Sequence, residues 1–528
     1  MSQPACITTP IYYVNDRPHI GHAYTTTICD VWARSQRMIG RDVFFLTGTD
    51  EHGVKVEKSA QARGIPPQEL ADENAAEFQR VLATFALTNS DFIRTTQPRH
   101  VEQVQTLLRQ LMKTGDVYLG TFEGWYDEGQ EEYHTENRAR ELNYLSPISG
   151  KPLVRATEQN YYFRLSAFAD RLAKHFADHP TFVRPVERAN EMLGRMRDGL
   201  QDVPITRTNF SWGIAMPDAP GHVVYVWIDA LLNYITALGL GTTPSAPESK
   251  LRDRSRYWPA DYHVVGKEIL WFHAVIWPAL LMALELPLPK CVYAHSFWIA
   301  DGQKMSKSLG NFVDLPTIER YTSVYGLDAW RWYMATQGPL AATDADFKAK
   351  HFHEIYTNDL VNTVGNCPSR VGAMIGKYFG GKLPSDSHNG GEWPHRCKAA
   401  VDKWERCMEV FDLVGAARAG MDLFHQVDVM INDTEPFKLA KDPANTPRLS
   451  SILNQCAQTV RIAGLLLEPF LPQRMADLQS AFGGVGSGKS DWSSRKKYGA
   501  IPDGHPIEKI ALFPRVDGAI AVQPASAG

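Results

Sequence analysis

Two short runs near the N-terminus constrain the fold more than any other part of the chain. Residues 6–14 (CITTPIYYV) and 42–47 (DVFFLT) are apolar, β-branched or aromatic almost throughout, so neither alternates as a half-wetted strand would. Asn15-Asp16-Arg17-Pro18 turns the chain after the first run, and apolar positions then recur at helical spacing from 20 to 38. Two doubly buried strands joined by a helix form a βαβ unit, and such strands run parallel. Helical patterns at 54–63, 68–85 and 99–114, with a strand at 91–95, continue the alternation. The expected fold class is therefore α/β, a parallel sheet covered by helices. No GxGxxG follows the first strand, so the usual dinucleotide-binding fold gains no support.

At 528 residues the chain exceeds what one hydrophobic core usually organises. Residues 117–160 change character, rich in Tyr, Gly and Glu, and read as a small β-rich insertion. Helices are expected at 162–178 and 187–199. Strands at 223–228 and 261–265 should feed helices at 229–238 and 267–284. A last strand at 291–297 leads into the polar loop DGQKMSKSLGN. Beyond 347 the pattern is helical, at 347–379, 397–424 and 449–467, and the Gly/Ser-rich stretch 480–502 reads as a loose connector or an extended arm.

Charge narrows the class only slightly. Lys and Arg total 55 against 59 Asp and Glu, a net charge of -4, so the chain is not polybasic, although a local basic face remains possible. Seven scattered cysteines without a CxxC pair argue for reduced thiols and against a cysteine-rich zinc knuckle. The N-terminus lacks a basic region followed by an apolar run, and the most apolar stretch, 274–289, is short and interrupted by Glu285 and prolines. A cytoplasmic setting is expected, with an organellar matrix left open and no membrane partner.

The chemistry lies in two motifs. His19-Ile20-Gly21-His22 falls where the first strand becomes a helix, and a helix start offers free N–H groups and a positive dipole end to phosphates. Gly21 allows a ligand close to the backbone. About 280 residues later, Lys304-Met305-Ser306-Lys307-Ser308 lies in the loop after the last strand, flanked by Gly302 and Gly310. Two lysines on such a loop can neutralise charge developing on a pyrophosphate. Both motifs fall at the carboxyl edge of a parallel sheet, where such sheets bind ligands.

With PIYYVNDRPHIGHAY, FLTGTDEHG, YVWIDALLNY, VVGKEILWFH and DGQKMSKSLGN in this order, the sequence resembles the methionyl-tRNA synthetase family of class I aminoacyl-tRNA synthetases. The resemblance implies a Rossmann-like parallel-sheet catalytic domain, a small connective insertion and an all-helical C-terminal anticodon-binding domain. The implied boundaries are 1–116 and 161–298 for the two catalytic halves, 117–160 for a zinc-free insertion and 299–346 for the KMSKS loop and stem-contact segment. The anticodon domain would occupy 347–480, and a connector and extension 481–528. The implied activity is ATP-dependent ligation of L-methionine to its tRNA through methionyl-adenylate, with Mg2+ accompanying ATP.

Residue by residue, the resemblance implies a methionine slot of Ile11, Tyr13, Trp227, Ala230, Leu231, Tyr234, Ile269 and His273, with Asp50 pairing the substrate ammonium. Such a slot suits an unbranched thioether. ATP would meet Asn15, His19, Gly21, His22, Gly266, Lys267, Glu268, His295, Lys304 and Lys307. His19, His22, Lys304 and Lys307 carry the catalytic role, and Arg207 stands as a possible contact of the reacting groups. The family often has Asp where this chain has Glu268, and either acid can accept from ribose hydroxyls.

Asn366, Arg370 and Phe437 match anticodon-reading positions. Phe437 stands where the family commonly has Trp, offering a stacking surface without an indole N–H, and Pro368 interrupts the helix between Asn366 and Arg370. No cysteine occurs between 29 and 291, and His134 is the insertion's one histidine, so no structural zinc and no other metal site is expected. The partners implied are methionine tRNA, through its anticodon and acceptor end, L-methionine and ATP, acting on a monomer. The insertion is too small for the editing domain of the branched-chain enzymes, and a small-molecule adenylyltransferase would have no use for the helical appendage. A non-enzymatic RNA scaffold need not keep both motifs and Asp50.

Overall fold

The structure is a computed structural model describing residues 2–14, 18–127, 132–134, 136–240, 254–300, 302–305, 311–484 and 491–520. Its centre is a six-stranded sheet of β1 (Pro4–Tyr13), β2 (Asp42–Asp50), β3 (Asp91–Arg94), β4 (Val183–Arg184), β5 (Tyr262–Gly266) and β6 (Val292–His295). The order is β3-β2-β1-β5-β6-β4, every pairing parallel. β2 lies on one side of β1 and β5 on the other, so the crossovers leave in opposite directions and open a crevice beyond the carboxyl ends. Tyr13, Asp50, Gly266 and His295 are the last residues of β1, β2, β5 and β6, and all four reach it.

The helix Ile20–Met38 follows β1 as its spacing predicts, and it is buried along most of its length. The two-residue edge strand Val183–Arg184 escapes sequence analysis because it carries no periodicity at all. The run at 223–228 is a strand only at Val223–Val224, and the helix Val226–Thr236 begins at once. Nearly every residue of that helix is buried, so its β-branched and aromatic start reflects complete burial instead of strand pairing. The helix expected from 162 starts later. Strand Val154–Phe163 pairs along its full length with Val117–Asp127, and helix proper runs only over Ala169–Asp178.

The helical region packs directly on the sheet domain. One buried apolar cluster joins Ile7 and Trp32 to Trp330, Trp404 and Leu466. Trp32 Nε1–H donates to the Met408 carbonyl at 3.0 Å, and the Tyr262 hydroxyl to that of Glu409 at 2.6 Å. The expected helix at 347–379 is continuous but changes winding, π-helical over Tyr356–Gly365 and α-helical over Asn366–Phe379. Pro368 falls in the first turn after this change of register, where a missing backbone donor disturbs the ladder least.

Of the stretch 480–502, residues 491–502 and the chain on to 520 form an arm that packs back on the helical region. Ile501 N–H and carbonyl both bond the Gln458 side chain, and the Pro514 carbonyl accepts from Tyr356. Ile507, Leu512 and Phe513 are buried. Among the described residues no helix is long and apolar enough to cross a membrane.

Candidate active site

The crevice at the carboxyl edge is a cleft of ≈ 330 Å³. The end expected to hold phosphates is built by the first helix. His19 is the N-cap, and its Nδ1 accepts the Gly21 N–H at 3.0 Å, while the His19 N–H donates to His22 Nδ1 at 3.2 Å. Both Nδ1 atoms therefore act as acceptors, which leaves the Nε2–H edges as the donor edges of the two rings. The ring centroids lie 3.9 Å apart. Burial, then the neighbouring His19, hold the His22 pKa well below its ordinary value. The pair offers neutral hydrogen-bond donors and not a cation. A Cβ on Gly21 would come 2.9 Å from the His19 ring, so this turn tolerates only glycine without shifting His19.

The apolar end brings together Ile11, Tyr13, Asp50, Trp227, Ala230, Leu231, Tyr234, Ile269 and His273, all nine residues expected around methionine. A register shift between Thr8 and Ile11 bends β1 and resets its pairing, so that Tyr13 faces Asp50 across the strands. Trp227 stacks on Phe272 with centroids 4.3 Å apart and planes within 12°. His273 Nδ1–H donates to the Ile269 carbonyl at 2.9 Å, so its Nε2 accepts the Tyr234 hydroxyl at 2.7 Å. Burial lowers the His273 pKa to about 4. Tyr234 and His273 thus line the slot as a neutral, mutually satisfied pair, with Asp50 its carboxylate.

Gly266, Glu268 and His295, the residues expected on the nucleotide side, also line the cleft. His295 Nδ1–H donates to the Ser296 carbonyl at 2.8 Å and its Nε2 faces Thr25 Oγ1 at 2.8 Å. Burial lowers its pKa to about 4. The Glu268 carboxylate lies over Gly266, with Oε2 2.4 Å from where a Cβ would stand. The enclosing protein pushes the Glu268 pKa upward, opposed by Lys267 and Lys304.

Other expected residues lie elsewhere. Lys267 turns away to Asp344, at 2.6 Å, with its ammonium over the Phe297 ring. Arg207 is buried outside the cleft lining, its guanidinium 4.1 Å from the Tyr225 centroid. Lys304 is exposed on the two-residue strand Gln303–Lys304 and is not among the lining residues, although its charge acts on Glu268. Asn15 and Lys307 lie outside the described residues. Sequence analysis missed Pro10, Tyr12, Thr25, Lys55, Val226 and Phe297 in the lining. Thr25 had a signal, one helical turn past Gly21 on the same face. Lys55 had only its closeness to Asp50.

In the helical region Asn366 is exposed, and Arg370 is held by Asp428 at 2.8 Å and Asn432 at 3.2 Å. Phe437 is 48% exposed and so is not a core residue. In the insertion, Trp125 and Tyr144 pack with centroids 4.7 Å apart, and both donate to the Glu136 carboxylate. Among the described residues no group of three or more His, Cys, Asp and Glu is placed to hold a metal ion.

A parallel sheet with the HIGH-type turn after its first strand and an apolar slot beside it defines a class I aminoacyl-tRNA synthetase. The family described as tRNA synthetases class I (M) matches residues 5–142 and 137–372. The chain is 41% identical to the methionine–tRNA ligase of Halalkalibacterium halodurans, over 97% of this chain and 78% of that protein. It is 40% identical to the methionine–tRNA ligase of Bacillus subtilis, with the same coverage. A solved Mycobacterium tuberculosis methionyl-tRNA synthetase in complex with methionyl-adenylate superposes with a TM-score of 0.87 at 33% identity, over 97% of this chain and 100% of that one. The chain belongs to the methionyl-tRNA synthetase family.

Proposed function

We propose that the chain ligates L-methionine to its tRNA at the expense of ATP, and that the cleft described above is where both substrates meet. The carrying observation is that the apolar slot with Asp50 and the histidine turn with Gly266, Glu268 and His295 open into one cavity.

In this reading the methionine side chain enters between Trp227, Ala230, Leu231, Tyr234 and His273, and its ammonium pairs with Asp50. A slot without charge at its apolar end accepts a thioether and rejects charged side chains. ATP enters as its Mg2+ complex, with phosphates against the start of the first helix and His19 and His22, ribose near Gly266 and Glu268, and adenine near His295. The methionine carboxylate oxygen attacks the α-phosphorus in line, the bond to the bridging oxygen breaks, and pyrophosphate leaves. Lys304 and Lys307 close on the leaving pyrophosphate. Lys267 and Arg207 would have to leave their present contacts to join, so these two stand as secondary assignments, and Asn15 keeps its assignment to the phosphates.

In the second step a hydroxyl of the terminal adenosine of tRNA attacks the mixed anhydride, AMP leaves, and methionyl-tRNA forms. Asn366, Arg370 and Phe437 are assigned to the anticodon, with Arg370 preorganised by Asp428 and Asn432. A cytoplasmic monomer is the proposed state. The arm at 491–520, folded back on its own helical region, supports the monomer.

The test is ATP–pyrophosphate exchange without tRNA, run with each of the twenty amino acids. Exchange with methionine alone is expected. Exchange with a different amino acid, or with none, would overturn the slot assignment.

A further inference from the structure

We infer that Asp229 is a positioning residue for methionine, clamping the helix that forms one pocket wall to the strand end that carries Asp50. The inference rests on the assignment of the slot to methionine and extends it to residues that do not line the cleft.

On the helix Val226–Thr236, Trp227, Ala230, Leu231 and Tyr234 share the face that lines the slot. Asp229 and Thr236, seven residues apart, share the opposite face. There the Asp229 carboxylate sits between two imidazoles. Oδ2 lies 2.6 Å from His52 Nδ1, and Oδ1 lies 2.6 Å from His100 Nε2. Both Asp229 and His100 have side chains 0% exposed, and His52 only 7%. His100 Nδ1 continues to Thr236 Oγ1 at 2.7 Å, so this ring holds the helix at two points. Gln103 donates to the Thr236 carbonyl at 3.0 Å from the same side.

An ionised carboxylate accepts only, so the facing nitrogens, His52 Nδ1 and His100 Nε2, carry the protons. Burial alone would raise the Asp229 pKa, but the two histidines prevail and it lies below the ordinary value. A buried charge with both oxygens bonded to oriented rings fixes geometry more tightly than apolar packing does.

His52 follows Asp50 by two residues. The strand end between them is held in turn by Trp212, whose Nε1–H donates to the Glu51 carbonyl at 2.6 Å and whose own carbonyl accepts the Gly53 N–H at 3.0 Å. His52 therefore ties the position of the ammonium-binding carboxylate to that of the helix forming the side-chain slot. Methionine spans both, whereas the nucleotide side is built on β5, β6 and the first helix. Loosening the clamp should weaken methionine recognition and spare ATP.

The experiment measures pyrophosphate exchange by the full chain, with methionine varied at saturating ATP and the reverse. Asp229→Asn is expected to raise the methionine KM about tenfold to a hundredfold, the scale of ångström misplacement, while the ATP KM stays within about twofold. His52→Asn places an amide N–H near the former Nδ1 and should restore the methionine KM to within about threefold of wild type. His52→Gln places its amide near Nε2 and should behave like Asp229→Asn. An unchanged methionine KM in Asp229→Asn overturns the inference, as do both KM values rising together. Indistinguishable His52→Asn and His52→Gln overturn it as well, and this contrast decides alone should Asp229→Asn not fold. Absence of methionine-dependent exchange in the wild type would overturn the slot assignment itself, a separate result.

Discussion

Arg331 and Asp30, 301 positions apart in sequence, meet at 2.7 Å with neither side chain exposed. Asp30 belongs to the helix Ile20–Met38, and Arg331 to the helix Leu327–Gln337. The same guanidinium donates to the Pro469 carbonyl at 3.1 Å in the helical region. Three parts of the chain are joined at one buried charge. Asp30 also accepts from Arg34 and from Thr88, and although burial opposes its ionisation these partners keep its pKa below the ordinary value.

Removing one member of such a pair strands the other. Arg331→Met is expected to cost about 3–5 kcal/mol in unfolding free energy, because a buried carboxylate loses its main counter-charge. Asp30→Asn combined with Arg331→Met should recover part of that loss, since no fully buried charge is left without its partner and the partly exposed Arg34 keeps the Ala86 carbonyl. Urea melts of the two single variants and the double variant measure the coupling. A double variant no more stable than Arg331→Met would show that Asp30 is satisfied without the arginine.

Gly266→Ala separates function from stability. The added methyl would meet Glu268 Oε2 at 2.4 Å and Oε1 at 2.6 Å, so the carboxylate has to swing away. The end of a flexible side chain moves cheaply, and the stability change should stay within about 1 kcal/mol. The ribose contact proposed for Glu268 should suffer, with the ATP KM raised about tenfold and the methionine KM unchanged. A normal ATP KM would remove Glu268 from the nucleotide site.

The cleft should also make stability depend on acid. His273 and His295 are depressed by burial to about 4, below the ordinary histidine value of 6.5, and His263 is lowered for the same reason. On unfolding each histidine gains a proton once the pH falls below 6.5, so the unfolded state binds more protons there. The contribution of His273 and His295 is fully present above pH 6.5 and is lost as pH falls toward 4, by roughly 3 kcal/mol for each of these two rings. Melting temperature should be level above pH 7 and fall steadily between pH 6.5 and 4.5. His273→Gln, whose side-chain oxygen can still accept from Tyr234, should show a shallower fall. A slope identical to wild type would mean that His273 is not titrating on unfolding.

How much of this was legible beforehand depended on whether a residue acts through its neighbours in sequence or through the fold. β1, β2 and the first helix could be read because an unbroken apolar run and a 3.6-residue period are local signals. The cleft lining was readable because its residues sit in motif tracts at the carboxyl ends of those strands. Val183–Arg184 was not, since two residues hold no period and pair only because β6 lies beside them. Nor was the contact of Arg331 with Asp30, or that of Asp229 with His100: each is an ordinary charged or titratable residue until the fold removes water from around it. The stretch 480–502 read as a loose connector or extended arm because Gly/Ser content says nothing of the packing that buries Ile501, Leu512 and Phe513 farther along.

Phe437 gives the most direct check on the helical region. It sits on the short helix Pro436–Leu439 and leaves 48% of its surface in water, so its ring has area to offer a base. Truncation removes little packing, and Phe437→Ala should change stability by no more than about 0.5 kcal/mol. A stacked base is worth about 1–3 kcal/mol, so the tRNA KM in aminoacylation should rise about fivefold to a hundredfold. Pyrophosphate exchange, which needs no tRNA, should keep its wild-type rate, because the ring lies in the helical region and does not line the cleft. Phe437→Trp adds ring area and an indole N–H, and should lower the tRNA KM below that of the natural chain. Steady-state charging of methionine tRNA by the three proteins measures both effects, and a tRNA KM that ignores the ring would mean that the anticodon stacks elsewhere.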